Sequence, residues 1–176
     1  SVPNITSGTP AANANSYTVT FDGETAATFR CSLDGASAQK CSSPHVLTAL
    51  SDGSHVFAVY QTDVAGNLSS AAQLTWSIDT QVQTVAITAP ASPTNSVSLA
   101  YSVVFDKSVT GIEASDFSAP DTSCVVSGVT GSGRNYTVSL TDCAHGEDVT
   151  LELAADSTTD ASGNVGPRVI AFASTV

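Results

Sequence analysis

Thr62-Asp63-Val64-Ala65-Gly66-Asn67 recurs as Thr159-Asp160-Ala161-Ser162-Gly163-Asn164, 159 − 62 = 97 positions later. Each copy follows a run of alternating apolar and polar residues and precedes another. Alternation with a period of two marks a strand that buries one face. Asp, Gly and Asn close the turns between such strands, because Asx side chains bond their own backbone and Gly accepts positive φ. Solenoids and propellers repeat every 20–50 residues or so, so this longer period predicts tandem domains. The break falls after Gln73-Leu74-Thr75-Trp76-Ser77-Ile78, giving domain 1 at residues 1–79 and domain 2 at 80–176.

Working outward, domain 1 reads as strands near 2–7, 17–21, 28–33, 46–50, 55–61 and 73–78, with Trp76 as a core anchor. In domain 2, Val97, Leu99, Tyr101, Val103 and Phe105 form one face of a strand, and Ser96, Ser98 and Ser102 the other. Tyr136, Val138 and Leu140 repeat the pattern, as do Val149, Leu151 and Leu153. No apolar stripe at helical spacing is long enough to predict a helix. Ser and Thr exceed a quarter of the 176 residues while charged residues are 12%, which with 41% hydrophobic residues is not the profile of a disordered chain. Short strands at even spacing predict an all-β chain of two tandem immunoglobulin-like antiparallel β-sandwiches with Greek-key connections.

Five basic residues against 16 acidic give a net charge of −11. Phosphate binding needs clustered positive charge, so nucleic acid is excluded as a partner, and no apolar run reaches the ~18 residues of a membrane-spanning helix. Four cysteines allow three pairings. Cys124 and Cys143 flank two alternating runs that meet at Gly131-Ser132-Gly133, so an antiparallel hairpin closing there sets them opposite each other. Cys31 and Cys41 likewise flank Asp34-Gly35-Ala36. The expected bridges are Cys31–Cys41 and Cys124–Cys143, against the alternative of four buried thiols. Disulfides imply an oxidising place, at the cell surface or outside the cell.

Domain 1 contains, in order, Cys31-Ser32-Leu33-Asp34-Gly35, Asp52-Gly53-Ser54-His55, Thr62-Asp63-Val64-Ala65-Gly66-Asn67 and Trp76-Ser77-Ile78-Asp79. This resembles the bacterial Ig-like repeat of large secreted or surface proteins. Domain 2, with Val103-Val104-Phe105-Asp106-Lys107-Ser108 followed by Ala114-Ser115-Asp116-Phe117, is similar to a second type of such repeat. The resemblance implies a piece of a repetitive adhesin or fibre, with adjacent repeat domains as partners. It also implies a junction calcium, since related repeats hold one there. Calcium takes six to eight oxygens, and the expected donors are Asp79, Asp160 and Asn164, with Asp52 or Asp106 beside them. The alternative is that Asp-x-x-x-Asn is turn chemistry alone. In some Ig-like pilus modules a lysine cross-links to an asparagine, but Asp106 and Ser108 beside Lys107 point to a wet strand end instead.

The Asp63/Asn67 loop is a candidate contact for a preceding domain or a ligand. In the strand at 55–61, Phe57 and Val59 inward leave Val56, Ala58 and Tyr60 outward, and Tyr60 is a candidate for stacking on a sugar or peptide. His45, His55 and His145 stand beside no nucleophile motif, and His145 reads as a solvated turn residue. The leading expectation is therefore a non-catalytic, calcium-stiffened rod in cell adhesion. The alternatives are a tip that binds a host or prey cell-surface glycan or protein, and an accessory module of a secreted polysaccharide-degrading enzyme.

Overall fold

In a computed structural model, which describes residues 1–91 and 96–174, the chain is all-β, with several antiparallel sheets and a single 3-10 turn at Ala114–Asp116 among the described residues. It divides into two compact units, Ser1–Thr80 and Gln81–Val176. Thr80 closes the first because its N–H and hydroxyl both donate to Asp52 Oδ1, at 2.9 and 2.8 Å.

Unit 1 holds β1 (Asn4–Ile5), β2 (Tyr17–Val19), β3 (Phe21–Asp22), β4 (Thr28–Leu33), β5 (Gln39–Cys41), β6 (His45–Leu47), β7 (Gly53–Thr62) and β8 (Ala72–Ile78). Four strands form one antiparallel sheet in the order β5-β4-β7-β8, while β1 pairs with β3 and β2 with β6. Period-two burial follows the sequence. Trp76 and Ile78 are buried on β8 while Thr75 and Ser77 are exposed. From the four-stranded sheet, Cys31, Phe57, Val59, Trp76 and Ile78 meet Val19, Phe21 and Leu47 of the short pairs in one core.

Unit 2 holds β9 (Val85–Thr88), β10 (Leu99–Thr110), β11 (Phe117–Ser118), β12 (Val125–Thr141), β13 (Thr150–Leu153), β14 (Thr158–Asp160), β15 (Val165–Gly166) and β16 (Ala171–Ser174). One sheet runs β12-β10-β14-β15, with β9 also on β10, and a second runs β11-β13-β16. Leu99, Tyr101, Val103, Phe105 and Val109 of β10 are buried, and pack with Val138 and Leu140 of β12 and with Leu151 and Leu153 of β13. The expected inward Val97 is instead 53% exposed, because β10 begins at Leu99. A bulge between Val104 and Val109 breaks the register with β12. Arg134 Nε donates to the Phe105 carbonyl and the Tyr136 hydroxyl to the Val109 carbonyl, both at 3.0 Å, so carbonyls at the bulge keep donors.

Both disulfides are present, Cys31–Cys41 with Cα atoms 5.8 Å apart and Cys124–Cys143 at 4.2 Å. They fit an oxidising, extracellular-type environment. No helix among the described residues is long and apolar enough to cross a membrane. Cys124 and Cys143 meet because β12 doubles back at its glycines, bringing Ser127 Oγ to donate to the Ser139 carbonyl at 3.0 Å. Gly131 sits at φ +118°, and a Cβ there would lie 2.3 Å from the Asn135 carbonyl oxygen.

Gly131→Ala is therefore expected to destabilise unit 2 by about 2 kcal/mol or more through strain and clash. Gly128→Ala, in the same hairpin with nothing within 4 Å, is expected to be near neutral. Urea unfolding of the two variants checks this.

Candidate functional site

The repeated hexapeptide folds into one hydrogen-bonded clamp twice. In unit 1, Asp63 Oδ1 accepts the N–H groups of Ala65 and Asn67 at 2.9 and 2.8 Å, and Oδ2 accepts Asn67 Nδ2 at 2.9 Å. In unit 2, Asp160 Oδ1 accepts Ser162 and Asn164 N–H at 2.9 Å each, and Oδ2 accepts Asn164 Nδ2 at 3.1 Å. Gly66 and Gly163 share φ +89°. A short carboxylate thus satisfies the turn's own donors and fixes the turn.

The surroundings differ. Asn67 is exposed, whereas Asp160 and Asn164 are 6% and 7% exposed. Lys107 Nζ reaches Asp160 Oδ2 at 3.4 Å and donates to the Gln81 carbonyl, to which Asn164 Nδ2 also donates at 3.2 Å. Burial pushes the Asp160 carboxyl up, but the bonds from Asn164, Ser162 and Lys107 outweigh it and hold the group below the ordinary range. Lys107 is thus anchored on a half-buried strand segment, where the sequence pointed to a wet strand end.

The other expected cation donors are engaged locally. Asp52 Oδ1 accepts from Thr80 and Asp106 Oδ1 accepts Thr84 N–H at 2.8 Å, while Asp79 is tied through its backbone, its N–H donating to the Ala12 carbonyl at 2.8 Å. Asp52 and Asp79 belong to unit 1, and Asp106, Asp160 and Asn164 to unit 2. Among the described residues no three His, Cys, Asp or Glu side chains stand close enough to hold a metal ion.

Sequence reasoning missed the role of His55. Its Nδ1 lies 2.7 Å from Asp34 Oδ2 and its Nε2 lies 2.8 Å from the Ser51 carbonyl, with Trp76 beside the ring. Both partners only accept, so both nitrogens donate and the ring is an imidazolium. The Ser51 carbonyl and the Asp34 carboxylate together raise its pKa. Burial pushes Asp34 up, but the Val56 N–H and His55 outweigh it and lower its pKa. The signal was available: Asp34 opens a turn after β4, and His55 lies near the start of β7, which pairs with β4. His145, by contrast, is exposed as expected.

On β7, Phe57 and Val59 point inward and Tyr60 is half-buried on the opposite face. Ala58 shares that outer face yet is 6% exposed, because it stands between Ser32 and Gln73 in the middle of the sheet. Tyr60 pairs with Arg30, and Arg30 pairs with Lys40, so the three stand in one cross-strand row. At the sheet edge, a cavity of about 210 Å³ beside the Cys31–Cys41 bridge is lined by Lys40, Ser32, His45 and Phe57, and His45 stacks on Phe57 at 5.5 Å.

Asp160→Ala would leave the Ser162 and Asn164 N–H groups and Lys107 short of an acceptor. A loss of about 3 kcal/mol from unit 2 is expected, against a much smaller loss from unit 1 for Asp63→Ala, whose half-buried carboxylate serves an exposed loop, read by chemical denaturation. A raised His55 pKa gives stability that is full below the ordinary histidine value, roughly 6.5, and is lost as pH rises through the raised one. The lowered Asp34 pKa gives stability that is lost as pH falls through its value. Unit 1 is expected to melt lower at pH ~9 than at pH ~6, with His55→Gln flattening the difference in a calorimetric scan. No family model matches the chain, and no curated protein matches it.

Proposed function

We propose that the chain is a non-catalytic extracellular module of a bacterial surface adhesin or fibre, made of two tandem immunoglobulin-like Greek-key sandwiches that act as a semi-rigid rod in cell adhesion. The observation that carries the reading is duplication: two cores, each with its own disulfide and the same Asp-x-x-x-Asn clamp. In each unit two sets of strands on different sheets share one core, which supports a sandwich. Cores this small are marginal alone, and a covalent bridge in each suits a module that works outside the cell. Charged residues gathered in turns, with Ser and Thr on the strand faces, keep such a surface soluble without making it adhesive.

Calcium enters this reading as a stiffener, held by oxygens of Asp52, Asp79 or Asp106. Asp160 is the weakest donor of the expected set, since four N–H groups already point at its carboxylate.

Small-angle scattering in millimolar calcium and again in EDTA tests the proposal. An elongated particle is expected, with a radius of gyration well above the ~16 Å of a compact chain of this length. A value near ~16 Å in both conditions would overturn the rod. Equal melting temperatures and equal scattering with and without calcium would remove the cation from the reading.

A further inference from the structure

Residues 1–80 contain six acidic side chains and two basic ones, Arg30 and Lys40. Those two face each other directly across the β4–β5 pair, on the outward side of the four-stranded sheet. Like charges directly opposite on a sheet repel. Among the described residues neither side chain makes an ion pair or a hydrogen bond, and both are exposed. The cations of unit 2 are placed otherwise. Lys107 is held by Asp160 and Gln81, Arg134 by the Phe105 carbonyl, and Arg168 by Asp156 at 3.5 Å. The arrangement in unit 1 therefore costs stability without an internal return.

The rest of the row explains what the cations could meet. Tyr60 stands beside Arg30 on β7, half-buried, and among the described residues its hydroxyl has no partner. The adjoining rows of the same face carry Thr28 with Thr62, and Ser32 with Ala58 and Gln73. The face is thus neutral and hydrogen-bonding around two unpaired cations and one aromatic ring.

We propose that this face binds a polysaccharide bearing carboxylates, through Arg30, Lys40 and Tyr60. The planar guanidinium takes a carboxylate by two parallel bonds, and the lysine adds a point charge. The tyrosine ring offers an apolar face to the C–H side of a sugar ring. The surrounding hydroxyls and the Gln73 amide match sugar hydroxyls. Charge selects this occupant over a neutral glycan. The Ser and Thr hydroxyls and the Gln73 amide in the adjoining rows select it over an acidic peptide, whose side chains they do not match. The inference deepens the adhesive role proposed above, yet its test is separate. A compact particle would remove the rod and leave this face untouched, and absent binding would remove this face alone.

The experiment is affinity electrophoresis of the whole chain in native gels containing alginate or polygalacturonate, with dextran, dextran sulfate and polyglutamate as comparisons. Saturable retardation by the two carboxylated polymers and none by dextran is expected. The double variant Arg30→Ser/Lys40→Ser should bind at least tenfold more weakly while melting no lower than the parent chain, since a repulsive pair has been removed. Tyr60→Gln should weaken binding at least threefold. Three results would overturn the proposal: no retardation by either carboxylated polymer, equal retardation of the double variant, or retardation by polyglutamate or dextran sulfate as strong as by alginate.

Discussion

In unit 2 everything is laid against one strand. β10 buries Leu99, Tyr101, Val103, Phe105 and Val109 on one side, and pairs with β12 along one edge and with β9 and then β14 along the other. A slip of one residue would turn that entire set to solvent, so the pairing register of β10 carries the fold of the unit. β7 has the same position in unit 1, between β4 and β8, with Phe57 and Val59 inward. The bulge between Val104 and Val109 is where β10 changes from β9 to β14. That change brings Asp160 beside Val109 and within reach of Lys107.

Because most strands of each unit are short, their ends must be fixed by something other than the core. The Cys124–Cys143 bridge ties the open end of the β12 hairpin, and Glu147 completes it by accepting from Ser123 and Ala144. The clamps fix the turns in both units. In unit 1 the clamp is solvated; in unit 2 it is buried against Gln81, so the same motif joins the start of the unit to the end of β14. One local motif thus does two jobs, set by burial.

The strand faces were legible because they rest on a period of two. Trp76, Ile78, Tyr101, Phe105, Leu151 and Leu153 all take the side that alternation assigns. The disulfides were legible because each pair flanks a turn. What alternation does not carry is the partner across the sheet. Arg30 and Lys40 are ten positions apart, and only the β4–β5 register makes them neighbours. Asp34 and His55 are 21 apart, and their contact needs Asp34 to sit at φ +51°. Val97 failed for a different reason: the pattern extends past the point where the ladder starts. Lys107 was read from its chain neighbours, while its surroundings come from residues 26 and 53 positions away.

The net charge of −11 has a local origin. Asp34, Asp63, Asp106, Asp116, Glu147 and Asp160 all accept backbone N–H groups at turns or strand ends. A carboxylate does this better than a neutral side chain, because a charge-assisted bond is stronger. Strand positions that face water are filled instead by Ser and Thr, which suit the pleated surface and carry no charge. Acidity is then what remains when an all-β chain of many turns caps them with aspartate. Against that rule two cations placed opposite each other in mid-strand have no structural work to do. Their position follows from neither turn chemistry nor packing, and a demand from outside the chain accounts for it.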